Sequence, residues 1–223
     1  MQKFATAAPV TAVLDIPAGR IRLVAVEGGD ATVEVRPADA SKSRDVKAAE
    51  QIEVTFADGV LRIAAPAAKN RILGDSGSVE VAVRVPADSR IEAKAALAEL
   101  HGVGRLGDVA LDAAQATVEL EETAGARLTL QAGDITIGRL GGAAEITTQK
   151  GDLHIAEAVR GTVELRTQHG GISVGAAPGV SATLDAGTSY GRVHNALRNT
   201  DGSSAALTIR ATTAYGDITA RSL

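Results

Sequence analysis

The chain has no cysteine and no tryptophan, and its aromatic side chains are confined to Phe4, Phe56, Tyr190 and Tyr215. Without cysteine there is no disulfide framework, no thiolate zinc site and no cysteine nucleophile. With so few rings, the core must be made of Val, Ile, Leu, Ala and Thr, which suits thin, regular layers of small side chains. Basic residues are outnumbered by acidic ones, 23 to 27. The net charge is −4 and the isoelectric point is near 5.6. No basic stripe stands out, and stacking rings are nearly absent, so the sequence argues against a nucleic-acid partner. No window approaches the roughly 18 apolar residues of a membrane-spanning helix. The opening segment MQKFATAAPVTAVLDIP lacks a continuous apolar stretch and is interrupted by Asp15. The expectation is therefore a cytoplasmic protein without a signal peptide.

What the sequence does have is alternation. Residues 128–174 carry the same pattern three times: an apolar/polar alternating run, a Gly-Asp or Gly-Gly turn, a second short apolar run and a small-residue turn. Aligned on the second run, the apolar pairs are Ala98/Leu100, Val118/Leu120, Ile135/Ile137, Leu153/Ile155, Ile172/Val174, Val193/Asn195 and Ile218/Ala220. Self-similarity at about 18–20 residues marks a solenoid, and alternation on both arms makes each coil β–turn–β. One coil cannot bury its own apolar positions. Coils stacked at about 4.8 Å per rung can. The expected interior columns are Ile135, Leu153, Ile172, Val193 and Ile218 in that order, beside Ile137, Ile155 and Val174. Thr129, Thr136, Thr147, Thr148 and Thr167 are expected on exposed strand positions. The segment NALRNTDGSSAA, 195–206, reads as a polar surface loop inserted between the last two units.

The first 89 residues show the same β character less regularly. Strand-like runs fall at 10–36, 51–65 and 78–86, with a hairpin expected across Ala57-Asp58-Gly59. Residues 37–49 are charged and Ala-rich, and read either as a short helix capped by Ser41 or Ser43 or as a solvated loop. The expected organisation is an all-β chain: an irregular β-sandwich-like N-terminal part over 1–89, running into a β-solenoid, or β-helix-like repeat domain, over 90–223.

The units AGDITIGRLGG, KGDLHI, HGGISV, SYGRVHN and AYGDITARSL resemble the bacterial β-strand-repeat "putative adhesin" family, domain-of-unknown-function family 4097. The resemblance covers roughly residues 90–223. It implies a β-solenoid and no particular chemistry.

Candidate chemical motifs are few. Gly74-Asp75-Ser76-Gly77-Ser78 is similar to the nucleophile segment of trypsin-like serine proteases, but no histidine precedes His101 to serve as base. Gly102-Val103-Gly104-Arg105-Leu106-Gly107 matches a dinucleotide pattern that needs a following helix, and the residues after it continue the β repeat. Asp108, Asp134, Asp152 and Asp217 each follow a glycine at the repeat turn. Asp134 and Asp152, about 5 Å apart on adjacent coils, are the candidate carboxylate pair for a carbohydrate-active alternative, although Gly-Asp is also ordinary turn chemistry. His154 and His194 share an outward column two rungs apart, too far to share a metal. No cofactor or metal site is expected. The reading favours a non-enzymatic structural or binding module with a protein partner or self-association. The last segment, GDITARSL, is expected at the open end of the solenoid, where strands can add. A self-assembling cytosolic scaffold is the remaining alternative.

Overall fold

A computed structural model describes residues 1–6, 8–66 and 77–223. Strands β1 (Gln2–Phe4), β2 (Thr11–Asp15), β3 (Ala18–Val26) and β4 (Ala31–Pro37) precede helix α1 (Ser43–Gln51). Strands β5 (Glu53–Ala57), β6 (Val60–Ala64) and β7 (Val79–Pro86) follow, then a long winding extended segment, β8 (Arg90–Ala132). The remainder is β9 (Ile135–Leu140), β10 (Ala144–Thr147), β11 (Leu153–Ala158), β12 (Gly161–His169), β13 (Ile172–Ala176), β14 (Ala182–Tyr190), β15 (Val193–Ala196), β16 (Leu207–Tyr215) and β17 (Ile218–Ser222). Among the described residues all of these strands hydrogen-bond into one 17-stranded sheet that winds as a β-solenoid.

The repeat register read from the sequence is the register of the structure. Val118 pairs with Ile135, Ile135 with Leu153 and Leu153 with Ile172, all in parallel. Leu120, Ile137, Ile155 and Val174 form the adjacent column. These side chains are buried, because alternation sends every second residue to the interior and the next coil covers it. Thr129 and Thr136 are exposed as expected, but Thr148 and Thr167 are buried. The buried threonines survive inside because their hydroxyls find acceptors: Thr167 Oγ1 donates to the Gly151 carbonyl at 3.2 Å, and Thr213 Oγ1 to that of Gly170 at 3.0 Å.

The stacking order at the C-terminal end departs from chain order. β12 pairs with β16 and β16 with β14, while β13 pairs with β17 and β17 with β15. The last coil of the chain is thus slotted inside, and the coil before it lies outermost. Ile218 sits between Ile172 and Val193, and Val193, expected in the interior, is 45% exposed. The physical reason is composition. β16 and β17 bury Leu207, Ile209, Ala211, Ile218 and Ala220. In the outer coil Leu184 and Ala186 are only half-buried, and all four residues of β15 are exposed. The more apolar coil takes the doubly covered position. The polar insertion lets the chain return: the Arg198 carbonyl accepts from Ala182 N–H, and the Arg198 N–H donates to Ser222 Oγ.

A similar exchange occurs at the other end. β2 lies between β6 and residues 90–94 of β8, and β3 lies between β7 and residues 97–103. There, however, the end is closed. β5 pairs antiparallel with β6 through a hairpin whose Asp58 and Gly59 both have positive φ, 51° and 74°. β4 pairs antiparallel with β7, β1 with β4, and α1 packs on β4 and β7. Residues 43–51 are therefore helical, but neither Ser41 nor Ser43 caps the helix: Lys42 is the N-cap, and Ser41 instead bonds Asp39. Asp45, buried in α1, accepts the Ser78 N–H at 3.0 Å and ties the helix to the sheet.

Candidate functional site

The turn that follows the first arm of each coil is the most regular surface feature. Its three positions stack into three columns. The first runs Ala132, Lys150, His169, Tyr215, Tyr190 in spatial order, by parallel bridges between neighbours. The second is glycine: Gly133, Gly151, Gly170, Gly216 and Gly191. The third is Asp134, Asp152, Gly171, Asp217 and Arg192.

The glycine column is enforced by close approach. A Cβ on Gly151 would lie 2.1 Å from the Gly133 carbonyl oxygen, and one on Gly170 would lie 2.0 Å from that of Gly151. Both also have positive φ, 146° and 154°, which L side chains disfavour. No side chain can stand there, so this column is bare backbone.

The carboxylates work along the axis. Asp134 Oδ1 accepts the Asp152 N–H at 2.8 Å, and Asp152 Oδ1 accepts the Gly171 N–H at 2.7 Å. Asp217 Oδ1 accepts the Arg192 N–H at 2.8 Å, and its Oδ2 meets the Arg192 guanidinium at 3.0 Å. Those two contacts, the backbone one foremost, hold the Asp217 carboxyl below the usual carboxylate range. Asp134 and Asp152 are brought together on adjacent rungs, each with one oxygen committed to the next coil's backbone and each exposed. Asp108 lies against Gly125 on the preceding part of β8.

The aromatic column is the feature that sequence reasoning missed. Tyr215 stacks on His169 with ring centroids 4.9 Å apart and planes within 7°, and on Tyr190 at 4.8 Å and 4°. Tyr190 is 67% exposed and Tyr215 49%. The signal was present: both tyrosines immediately precede the turn glycine, in SYG and AYG, where neighbouring units carry Lys150 and His169.

The other sequence candidates are not assembled into sites. His154 and His194 do share a column, but Ser173 and then Thr219 separate them, so they stand three rungs apart instead of two. His101 pairs with Glu119 at 3.1 Å. Gly102, Gly104 and Gly107 lie within β8 and no helix follows them; Leu106 is buried in the core. Gly74, Asp75 and Ser76 lie outside the described residues. Among the described residues no group of three or more His, Asp or Glu is placed to hold a metal, and no helix is long and apolar enough to cross a membrane. GDITARSL is not the open end, since β17 is paired on both sides.

The model of the Toastrack DUF4097 family matches residues 94–221. The chain belongs to the Toastrack family. The match begins within β8 and ends in β17, so it takes in the whole turn column described above, and the all-β solenoid is the architecture of the Toastrack repeat. Similar solved structures include a protein described as a "putative adhesin" from Parabacteroides distasonis, 14% identical over 98% of this chain and 95% of that one, with a TM-score of 0.47. A second, of the same description, comes from Bacteroides fragilis, at 12% identity, 98% and 95% coverage and a TM-score of 0.43. A third, described as a "putative cell adhesion protein", comes from Clostridium sporogenes, at 12% identity, 100% and 99% coverage and a TM-score of 0.40. No curated protein matches the chain.

Proposed function

We propose that this Toastrack domain is a non-enzymatic binding module that docks a β-strand of a protein partner, a second copy of itself included, on the outer coil β14–β15. The observation that carries the reading is the asymmetry of the ends. One end of the solenoid is closed by antiparallel strands and a helix. At the other, among the described residues β14 pairs only with β16 and β15 only with β17. The free side of such a strand presents unpaired N–H and C=O groups, a template for strand addition. Val193 adds an exposed apolar contact on the same coil. The committed hydrogen bonds of Asp134 and Asp152 support a turn-building role for them over an acid–base one.

Size-exclusion chromatography with light scattering tests the reading. The mass is expected to rise from 22.6 kDa toward twice that value with concentration, and Val193→Lys, which puts a charge on the exposed edge, is expected to keep the chain monomeric. A wild-type mass fixed at the monomer value up to the solubility limit would count against self-docking at this coil.

A further inference from the structure

The free edge of β14 is self-complementary. The Ser181 carbonyl accepts the Leu207 N–H of β16. The Ala182 N–H, in the same peptide unit, points the opposite way, where the Arg198 carbonyl accepts it at 3.1 Å. β14 then runs in unbroken register with β16 from Ala182 to Thr188. Leu184, Ala186 and Thr188 therefore follow Ala182 and turn both their N–H and C=O groups to the free side. Among the described residues no turn or loop donates to or accepts from these backbone groups. We infer that this edge is occupied by the same edge of a second copy: two chains meet outer coil to outer coil about a two-fold axis, with β14 antiparallel to the partner's β14 and Ala186 opposite the partner's Ala186. The inference rests on the docking reading above and names its partner and its register.

The register follows from which groups are free. In an antiparallel pair, directly opposite residues whose groups face each other exchange both bonds. Centred on Ala186, the pairing sets Ala186 against itself and Leu184 against the partner's Thr188, so every free group of the edge is used. The neighbouring registers do worse. Centring on Asp185 sets two like charges directly opposite each other, which destabilises the pair. Centring on Gly187 sets Leu184 against the partner's Tyr190, and the Tyr190 carbonyl is already held by the Gly216 N–H at 3.0 Å. With Ala186 at the centre, Asp185 lies opposite the partner's Gly187 instead.

Gly187 supports that pairing independently. A glycine inside a strand weakens it and marks the close approach of another backbone. Nothing lies within 4 Å of a Cβ built at Gly187, so the chain's own packing does not call for glycine. The same position carries Thr212 and Arg166 in the next two coils. Charge also allows two copies to meet. Residues 180–201 hold Asp185 and Asp201 against Arg192 and Arg198, so this end is neutral while the chain carries −4. They contain no lysine and no proline, the residues that guard an open edge. Val180, Leu184, Ala186 and Leu197 are only half-buried there and present an apolar patch for the second copy to cover. Because the opposite end is closed, pairing two outer coils uses the open edge of both copies, and the assembly stops at two.

Introduced cysteines read the register, since the chain has none of its own. Directly opposite residues of a non-bonded antiparallel pair have Cα atoms about 4.5 Å apart, within disulfide reach. Diagonal neighbours stand about 7–8 Å apart, beyond it. An equimolar mixture of Asp185→Cys and Gly187→Cys chains is therefore expected to oxidise to a disulfide dimer of about twice 22.6 kDa, and neither chain alone. Ala186→Pro removes an N–H that faces only the free side, where an edge strand tolerates proline. It is expected to keep the wild-type circular dichroism and to weaken association about tenfold or more in sedimentation, through the lost hydrogen bonds. A synthetic peptide of residues 182–190 tests the docking reading separately. A chain that stays monomeric yet binds the peptide, a dimer in which the mixture does not link or either cysteine variant links to itself, or a dimer unaffected by a folded Ala186→Pro overturns the two-fold pairing and leaves strand docking standing. A monomer that binds no peptide overturns both.

Discussion

Gly170→Ala puts the turn column under the most severe local test. The added Cβ would sit 2.0 Å from the Gly151 carbonyl oxygen and 2.6 Å from its carbon, at a φ of 154°. Ordinary contact begins near 3.4 Å, so the two rungs must part by 3.4 − 2.0 = 1.4 Å at this point. The Gly151 N–H to His169 carbonyl bond joins the same two rungs at 2.9 Å and cannot survive that separation. Losing it costs about 1 kcal/mol. The backbone strain of an L residue at this φ adds about 1–3 kcal/mol. Weakening of the Thr167 hydroxyl bond to the same carbonyl brings the total to about 3–5 kcal/mol. In a domain of this size each kcal/mol shifts Tm by roughly 2–4 °C, so a drop of about 10 °C is expected. Gly187→Ala is the matched control. It lies in β14 with nothing within 4 Å of its would-be Cβ, and its effect should stay within about 0.5 kcal/mol. Thermal melts followed by circular dichroism on both variants decide the matter. A Gly170→Ala protein melting alongside Gly187→Ala would refute the close-approach argument.

Other outcomes follow from the same packing. Ile137 is fully buried in the regular middle of the solenoid, and Ile137→Ala should cost about 2–5 kcal/mol in guanidinium unfolding. Arg139 bridges Glu122 and Glu157 on adjacent rungs but is about half exposed, so Arg139→Ala should cost under about 1 kcal/mol in the same assay. Asp217 has its carboxyl depressed by Arg192, first through the backbone N–H and then through the guanidinium. A depressed folded-state pKa means stability that is present above the ordinary Asp range and is lost as pH falls through the lower folded value. The protection of amides at residues 190–195, taken relative to the intrinsic exchange rate at each pH, should therefore fall on acidification below the usual carboxylate range, and Asp217→Asn should remove that step.

Much of the fold was legible because period-two alternation and turn glycines encode it directly. The pairing of Ile135 with Leu153 and Ile172 follows from sequence spacing alone, since adjacent coils of equal length must match in register. The exchange of the last two coils was not legible in that spacing. Either order preserves the register of Val193 and Ile218, and only the relative burial of Leu207, Ile209 and Ala211 against Leu184 and Ala186 separates them. Thr148 and Thr167 were misplaced by residue type. Both continue the inward alternation, Thr148 after Ala144 and Ile146 and Thr167 after Val163 and Leu165, and a carbonyl of the chain accepts each hydroxyl inside. The aromatic column was overlooked although His169, Tyr190 and Tyr215 hold one repeat position, each immediately before a turn glycine. Either coil order stacks them, and the spatial order β12, β16, β14 decides that Tyr215 is the ring that meets His169.

That spatial order underlies the docking coil, and a cysteine-free chain allows it to be measured directly. Glu164, Arg210 and Asp185 occupy one surface column in that order. Neighbours in it lie about 4.8 Å apart and next-neighbours about 9.6 Å, and disulfides do not bridge Cα atoms more than about 7 Å apart. The double variant Glu164→Cys with Arg210→Cys is expected to form an intramolecular disulfide under mild oxidation, and Glu164→Cys with Asp185→Cys is not. The reverse result would mean that the coils stack in chain order, with GDITARSL at the open end and residues 182–196 inside.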